Sequence, residues 1–554
     1  MTLSPTTKRQ DNLADGSDAI RVVIPFAAIV LAMLPAVLDQ TILATALPTI
    51  AGDLGSLSDV SWVVTAYVVA AAASMPLWGK LGDRHGRKLL LEISLAVFVL
   101  SSALCAAAQD ITQLVILRMV QGAAAGGLMT LAMAAVGDLV APRERGRYQG
   151  YIAAVFAVAT VVGPLVGGVL VDNASWRWVF LVNLPVGIAA LAGLSMRLPA
   201  PPVERPEAPL DMLGAAVLAL ATSALMLTCI WGGERYAWDS APIFGLIAAT
   251  TVLTGALLGH ERRVADPIVP FHLLRRRSVA VASVALFLAT AALFSITVFV
   301  PLLLQTAAGA TPTEAGLLLA PAMLGITIST TLSGRSIART GRYKRFPIAG
   351  LAVMTIALGL LAGFAADPGA LTVGLGLVFF GLGFGMVTQV LITAVQNTVE
   401  RRELGIAMAV TGFFRGLGGA VGAAILGAVF AAQAGSTVTD ASGPGLESVI
   451  RGEVIDGVQG VFLVAAPLAA LSLLVVLRLP ESRLRTETET SGNGGDVNAR
   501  GQQMDNETGA RRAVREGELR RDRRVDPPRL RQSRGTAGQP ARSRGAEGDD
   551  QLAA

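Results

Sequence analysis

The stretch GKLGDRHGRK (residues 79–88) has a degraded copy in GRSIARTGRY (residues 334–343), 255 residues further on. Gly79, Arg84, Gly86 and Arg87 fall on Gly334, Arg339, Gly341 and Arg342. At the same offset Gly150 falls on Gly405, and Gly163 and Gly167 of GPLVGG fall on Gly418 and Gly422 of GGAVGA. Separate stretches that share one register indicate a duplicated unit, because chance glycine matches would not keep a single offset.

The duplicated unit is apolar. The chain has 554 residues, 53% of them hydrophobic and only 15% charged, with a mean hydropathy of +0.58, values foreign to a soluble globular protein. Apolar runs of about 20 residues or more recur between short polar or Gly/Pro-bearing breaks, the signal for membrane-spanning helices. The pattern predicts fourteen spans, at 22–50, 60–81, 89–108, 112–139, 146–171, 177–197, 211–231, 241–260, 278–304, 313–336, 346–366, 370–398, 405–432 and 457–479.

Charge orients them. Lys80, Arg84, Arg87 and Lys88, then Arg143, Arg145 and Arg147, then Arg262, Arg263 and Arg275 to Arg277, then Arg339, Arg342, Lys344 and Arg345, and finally Arg401 and Arg402 fall in alternate loops. The intervening loops carry mainly Asp53, Asp59, Asp110, Asp172 and Glu234. The positive-inside rule then places both termini in the cytoplasm (N-in/C-in). The net charge of +5 reflects this loop pattern and does not indicate a nucleic-acid partner.

The expected organisation is an all-α integral membrane protein: a cytoplasmic N-terminus (1–21), a six-helix bundle (22–197), a linker with two inserted helices (198–277), a second six-helix bundle (278–479) and a tail (480–554). The tail is too poor in apolar residues to offset chain entropy and is expected to be disordered and cytoplasmic. The first apolar run is too long for a signal-peptide core. Parallel six-helix halves around a midplane site are the plan of alternating-access transporters.

Enzymatic chemistry finds little support. Cys105 and Cys229 lie in separate apolar runs, and His85, His260 and His272 fall in or beside charged loops, so neither a metal cluster nor a His-based triad can be assembled. GKLGDRHGRK lacks the Gly-Lys-Ser/Thr end of a phosphate loop, and GLGFG (381–385) lies inside an apolar helix, where glycines serve packing. No cofactor and no metal are expected.

Polar residues inside the apolar runs carry the function. Asp39 lies about 25 Å along the first span at 1.5 Å per residue, where a carboxylate costs about 2.5–3.5 kcal/mol on insertion scales and marks a functional site by default. Arg118, in the fourth span, is at a depth that can meet it, with Gln121 on the same face. Desolvation and a neighbouring guanidinium act on a carboxyl group in opposite senses, so small movements of an Asp39/Arg118 pair would decide whether it holds a proton. Arg415 is a second intramembrane charge whose role stays open. Trp62, Tyr67, Gln121, Phe294, Phe299 and Arg415, with Phe156, Phe379, Phe384 and Met386, are candidates to line an apolar cavity, although such residues also pack against neighbours or lipid.

Four stretches together resemble the major facilitator superfamily, and within it the 14-span drug:proton antiporters of the EmrB/QacA type: LDQTILATALP in the first span, GKLGDRHGRK after the second, RMVQG in the fourth with GPLVGG in the fifth, and WRWVFLVNLPVG (176–187) opening the sixth. The likeness is dense in the first half and absent from the tail. It implies a major facilitator fold and a plasma-membrane pump that exchanges protons for amphipathic drugs or antibiotics, aromatic or cationic, without ATP and as a monomer. It further implies proton coupling at Asp39 and Arg118 and a latch built from Gly79, Asp83, Arg84, Gly86, Arg87 and Lys88, with Asp83 as its acid. Gly163, Pro164, Gly167 and Gly168 form its antiporter motif. In the second copy Ala338 stands where Asp83 does in the first, so a second latch is expected to be weaker or absent. The alternatives are a proton-coupled nutrient symporter, which the Gly163/Pro164 signature disfavours, and a membrane sensor or scaffold.

Overall fold

A computed structural model of the chain describes residues 5–54, 60–200, 210–233, 235–264, 266–269, 271–307, 319–365, 369–433 and 446–481. Asp59, Glu234 and the tail expected from residue 482 onward lie outside the described residues. Apart from an isolated bridge between Gly232 and Tyr236, the described chain is helical.

The first half holds α1 (Pro5–Leu54), α2 (Ser61–His85), α3 (Arg87–Ala106), α4 (Ile111–Leu139), α5 (Arg145–Asn173) and α6 (Arg177–Arg197). The inserted pair is α7 (Met212–Trp231) and α8 (Ala241–Glu261). The second half holds α9 (Arg277–Thr306), α10 (Ala320–Thr340), α11 (Arg345–Gly363), α12 (Ala370–Thr398), α13 (Leu404–Gln433) and α14 (Leu446–Leu477). Among the described residues thirteen helices are long and apolar enough to cross a membrane. The helix left out of that set is α10, which carries Ser and Thr through its middle. Their hydroxyls bond to carbonyls of their own helix, as Thr327 does to Met323 and Thr331 to Thr327, and Thr330 donates across to the Gly385 carbonyl at 3.0 Å. That satisfaction is what a polar stripe needs in hydrocarbon.

Several boundaries differ from those expected. The first helix begins at Pro5 rather than residue 22, because nothing in the polar lead forces a break. The sixth span is interrupted at Val182, and α9 contains a π-helical turn at Ser295–Phe299. Most consequentially, α2 continues to His85, so Gly79, Asp83 and Arg84 lie on a helix and the link to α3 is Gly86 alone, with φ of 95°. That conformation suits a residue without Cβ.

The halves repeat each other's packing. In the first, α1 packs on α5 and α6, α2 on α4, and α3 on α4; in the second, α9 packs on α13 and α14, α10 on α12, and α11 on α12. Two seams join them, α2 against α13 and α5 against α10, which are equivalent under the duplication. Helix α7 lies on both α2 and α13, and so covers one seam.

Candidate functional site

The intramembrane polar centre is built inside the first half. Pro35, one turn before Asp39 in α1, gives no backbone N–H to the helix. Asp39 and Arg118 are 0% and 1% exposed, and Arg118 Nη1 donates to Asp39 Oδ2 at 2.5 Å. Asp39 Oδ1 accepts from Gln121 Nε2 at 3.1 Å and from Asn183 Nδ2 at 3.2 Å. Ser102 Oγ accepts from the same two amides and donates to the Phe180 carbonyl at 2.9 Å.

The guanidinium is equally enclosed. Its Nε donates to the Val63 carbonyl at 3.1 Å and Nη1 also reaches Gln121 Oε1 at 2.7 Å, while the Tyr67 ring lies 4.2 Å from Cζ. Tyr67 and Gln121, expected on a drug cavity, are sealed in this cluster, because both sides of the Gln121 amide and the face of the Tyr67 ring are committed to it. Asn183 and Ser102 escaped the sequence reading. Their signal was a polar side chain in an apolar run, the same one that marked Asp39.

A second polar cluster ties the halves together at the end bearing the basic residues. Asp83 Oδ1 accepts from Gly405 N at 2.8 Å and Oδ2 from Ile406 N at 2.9 Å. These are free N–H groups of the first turn of α13, a natural seat for an anion. Gly79 makes this approach possible: a Cβ there would lie 2.6 Å from the Gly405 carbonyl oxygen, and one on Gly405 would lie 2.5 Å from the Gly79 oxygen. Arg87 Nη2 joins Asp83 at 2.9 Å to the Arg401 carbonyl at 2.5 Å, and Nη1 pairs with Asp138, which also accepts from Arg401 Nε at 3.0 Å. Arg145 spans the same end, donating to the Gln396 carbonyl at 2.7 Å and Asn397 Oδ1 at 2.8 Å.

Of the other residues expected in a latch, Lys80 and Arg84 turn to Asp266, in the segment between α8 and α9. Lys88 donates at 2.8 Å to Ser195 O within its own half. At the equivalent seam, Gly334 meets Gly146 rather than Gly150, a one-turn displacement from strict symmetry, and Gly150 faces Thr331. Ala338 offers α5 no carboxylate there.

GPLVGG packs α5 on α1: a Cβ at Gly163 would strike the Thr41 side chain and one at Gly167 would lie 2.8 Å from the Ile42 oxygen, whereas Gly168 has open space. Gly418 and Gly422 do the same for α13 against Phe287 and Ala291 of α9.

The remaining aromatic candidates disperse. Trp62 packs edge-on against Trp231 at 4.8 Å, Phe294 against buried Phe299 at 6.4 Å, and Phe384 stacks on Phe380. Phe156 packs partly buried against the core, and Phe379 and Met386 line a hollow among α10, α11 and α12. Arg415 lines a cavity between the halves.

The model of the Major Facilitator Superfamily family matches residues 29–423. The chain belongs to that superfamily. It is 42% identical over 430 residues to an uncharacterized MFS-type transporter of Mycobacterium tuberculosis, covering 77% of this chain and 62% of that protein, so it spans under two thirds of that relative's length. It is 34% identical over 439 residues to the multidrug transporter protein MdtP of Bacillus subtilis, covering 78% and 80% of the two chains. Among solved structures, the superfamily's proton:xylose symporter XylE superposes with a TM-score of 0.60 at 15% identity, covering 85% of this chain and 98% of that one. The human organic anion transporter MFSD10 does so with a TM-score of 0.59 at 17% identity, covering 82% and 99%. These likenesses establish the major facilitator fold of a multi-pass membrane protein.

Proposed function

We propose that this chain is a proton-coupled antiporter of the 14-span EmrB/QacA type that expels amphipathic small molecules, drugs or antibiotics among them, across the plasma membrane. The observation that carries the reading is the sealed Asp39–Arg118 pair, an acid and a base held together where hydrocarbon offers no other solvation. The kinship with MdtP supports export as the direction.

With the basic end in the cytoplasm, the arrangement described above is closed to the cytoplasm. A proton arriving at Asp39 neutralises it, and Arg118 then has a buried charge without its counter-ion. That state is costly, so it is relieved by movement of α4 against α1. Helices α2 and α4 each hold one end in this centre (Val63 and Tyr67; Arg118 and Gln121) and the other in the inter-half cluster (Gly79 and Asp83; Asp138). A shift at Asp39 is therefore delivered to the latch by rigid helices, and α5 follows α1 through Gly163 and Gly167. Opening toward the cytoplasm exposes the cavity to substrate and lets the proton leave. No step calls for a cofactor or a metal.

The test is efflux from cells expressing the chain, preloaded with a fluorescent amphipathic dye. Efflux that stops when a protonophore collapses the proton gradient, with ATP maintained, supports the reading. Efflux indifferent to the gradient contradicts it.

A further inference from the structure

The cavity between the halves is lined by thioethers from both sides, Met75, Met129 and Met133 from α2 and α4 and Met408 from α13, with Thr411 and Arg415 one and two turns further along α13. Its volume in this arrangement is about 30 Å³, so a substrate body enters only as the halves move apart. No acidic residue lines it.

Arg415 differs from the buried guanidiniums of the bundle. Arg118 has a carboxylate, an amide oxygen, a backbone carbonyl and an aromatic face. Arg145 has three carbonyls and a side-chain amide oxygen. Among the described residues Arg415 has no hydrogen bond and no ion pair, and its side chain borders the cavity. Arg415 is half-buried, and the five N–H donors of its rigid fork face the cavity without an acceptor from the described residues, so a ligand carboxylate supplies the matching bidentate partner. The methionines around it offer a polarizable, adaptable wall suited to apolar bodies of varied shape. Among the described residues, Asp39 is the one carboxylate of the polar centre, and it is fully buried and paired with Arg118.

We infer that the substrate is an amphipathic organic anion whose carboxylate or equivalent acid pairs with Arg415 while its apolar body lies among Met75, Met129, Met133 and Met408. The inference rests on the exporter reading for its direction of transport, but the binding site stands apart from it. Of the aromatic or cationic drugs that the family resemblance implies, it sets aside the cationic ones in favour of a molecule of opposite charge. It also carries an energetic consequence: an anion leaving as protons enter moves positive charge inward in both legs, so a membrane potential negative inside assists the exchange.

The experiment uses the full chain, purified in detergent and in liposomes, with two dyes on one xanthene frame: fluorescein, an anion, and tetramethylrhodamine ethyl ester, a cation. Binding is read by fluorescence anisotropy and transport by dye movement under an imposed pH gradient. The expected result is at least tenfold tighter binding of fluorescein, lost tenfold or more in Arg415→Gln, largely retained in Arg415→Lys, and inverted toward the cation in Arg415→Glu. Thermal melting of each variant separates loss of binding from loss of fold, and Arg415→Lys carries the test if Arg415→Gln does not fold. Equal affinity of wild-type and Arg415→Gln protein for fluorescein, or a wild-type preference for the cation, overturns the proposal. Fluorescein bound in the expected pattern but not moved by any gradient leaves the anion site standing and removes the exporter reading.

Discussion

The carboxylate of Asp83 caps the first turn of a helix in the other half of the molecule, accepting from Gly405 N at 2.8 Å and Ile406 N at 2.9 Å. An acid near the end of α2 and the N-terminus of α13 are thus one structural unit, although 322 residues separate Asp83 from Gly405. Under the proposed mechanism this unit holds the basic end closed.

Asp83→Asn removes the charge and leaves the shape. The Asn amide keeps one acceptor and replaces the other with an NH2, so one of the two bonds is lost; a hydrogen bond to a charged group contributes about 1.5–3 kcal/mol, and the closed arrangement is expected to lose roughly a tenfold to hundredfold preference. Spin labels at Leu89 and Arg342, on the basic ends of the two halves, should show a longer and broader distance distribution. An unchanged distribution would mean that Asp83 merely anchors its own helix.

Gly79→Ala places a methyl group against the Gly405 backbone, which cannot move aside as a side chain can. Transport is expected to fall at least tenfold with the protein still folded. Gly359→Ala is the control, since a Cβ there meets nothing within 4 Å, and it should transport as the unaltered chain does.

Removing one partner of a buried ion pair costs more than removing both, because the survivor is left charged and unsolvated, a penalty of about 3–5 kcal/mol. Arg118→Ala should therefore melt well below the unaltered protein, and Arg118→Ala combined with Asp39→Asn should recover part of that loss. Additive losses in Tm would show that the two residues do not act as a pair.

Asn183→Leu deletes a donor to Asp39 Oδ1 and to Ser102 without touching the cavity between the halves. Gradient-driven transport should fall about tenfold while dye affinity, measured without a gradient, stays within twofold. An equal loss of affinity would place Asn183 in substrate binding instead.

What the sequence disclosed follows from where each signal lay. Asp39 and Arg118 were legible because a charge in an apolar run is conspicuous by itself, and their depths could be compared by helix rise. The glycine register disclosed the duplication, and the same glycines mark where helices touch. Asp138 was not legible: at the end of α4, beside APRERGR, it resembles any acid near a loop, and only the fold brings Arg87 and Arg401 to it. Asp266 was hidden in the same way, since its partners Lys80 and Arg84 are set by how the inserted segment lies. Tyr67 and Gln121 were read as cavity residues because composition tells that a polar or aromatic side chain is buried in a helix bundle and not which neighbour it faces.

The central claim is that proton movement through Asp39 drives export, and it is tested most directly in inside-out vesicles with an acid interior, by following proton release when an amphipathic dye is added outside. The unaltered chain should release protons on addition of the dye, and Asp39→Asn, matched for expression and fold, should release none. Equal release from both would contradict the account and reduce Asp39 to a helix-packing residue.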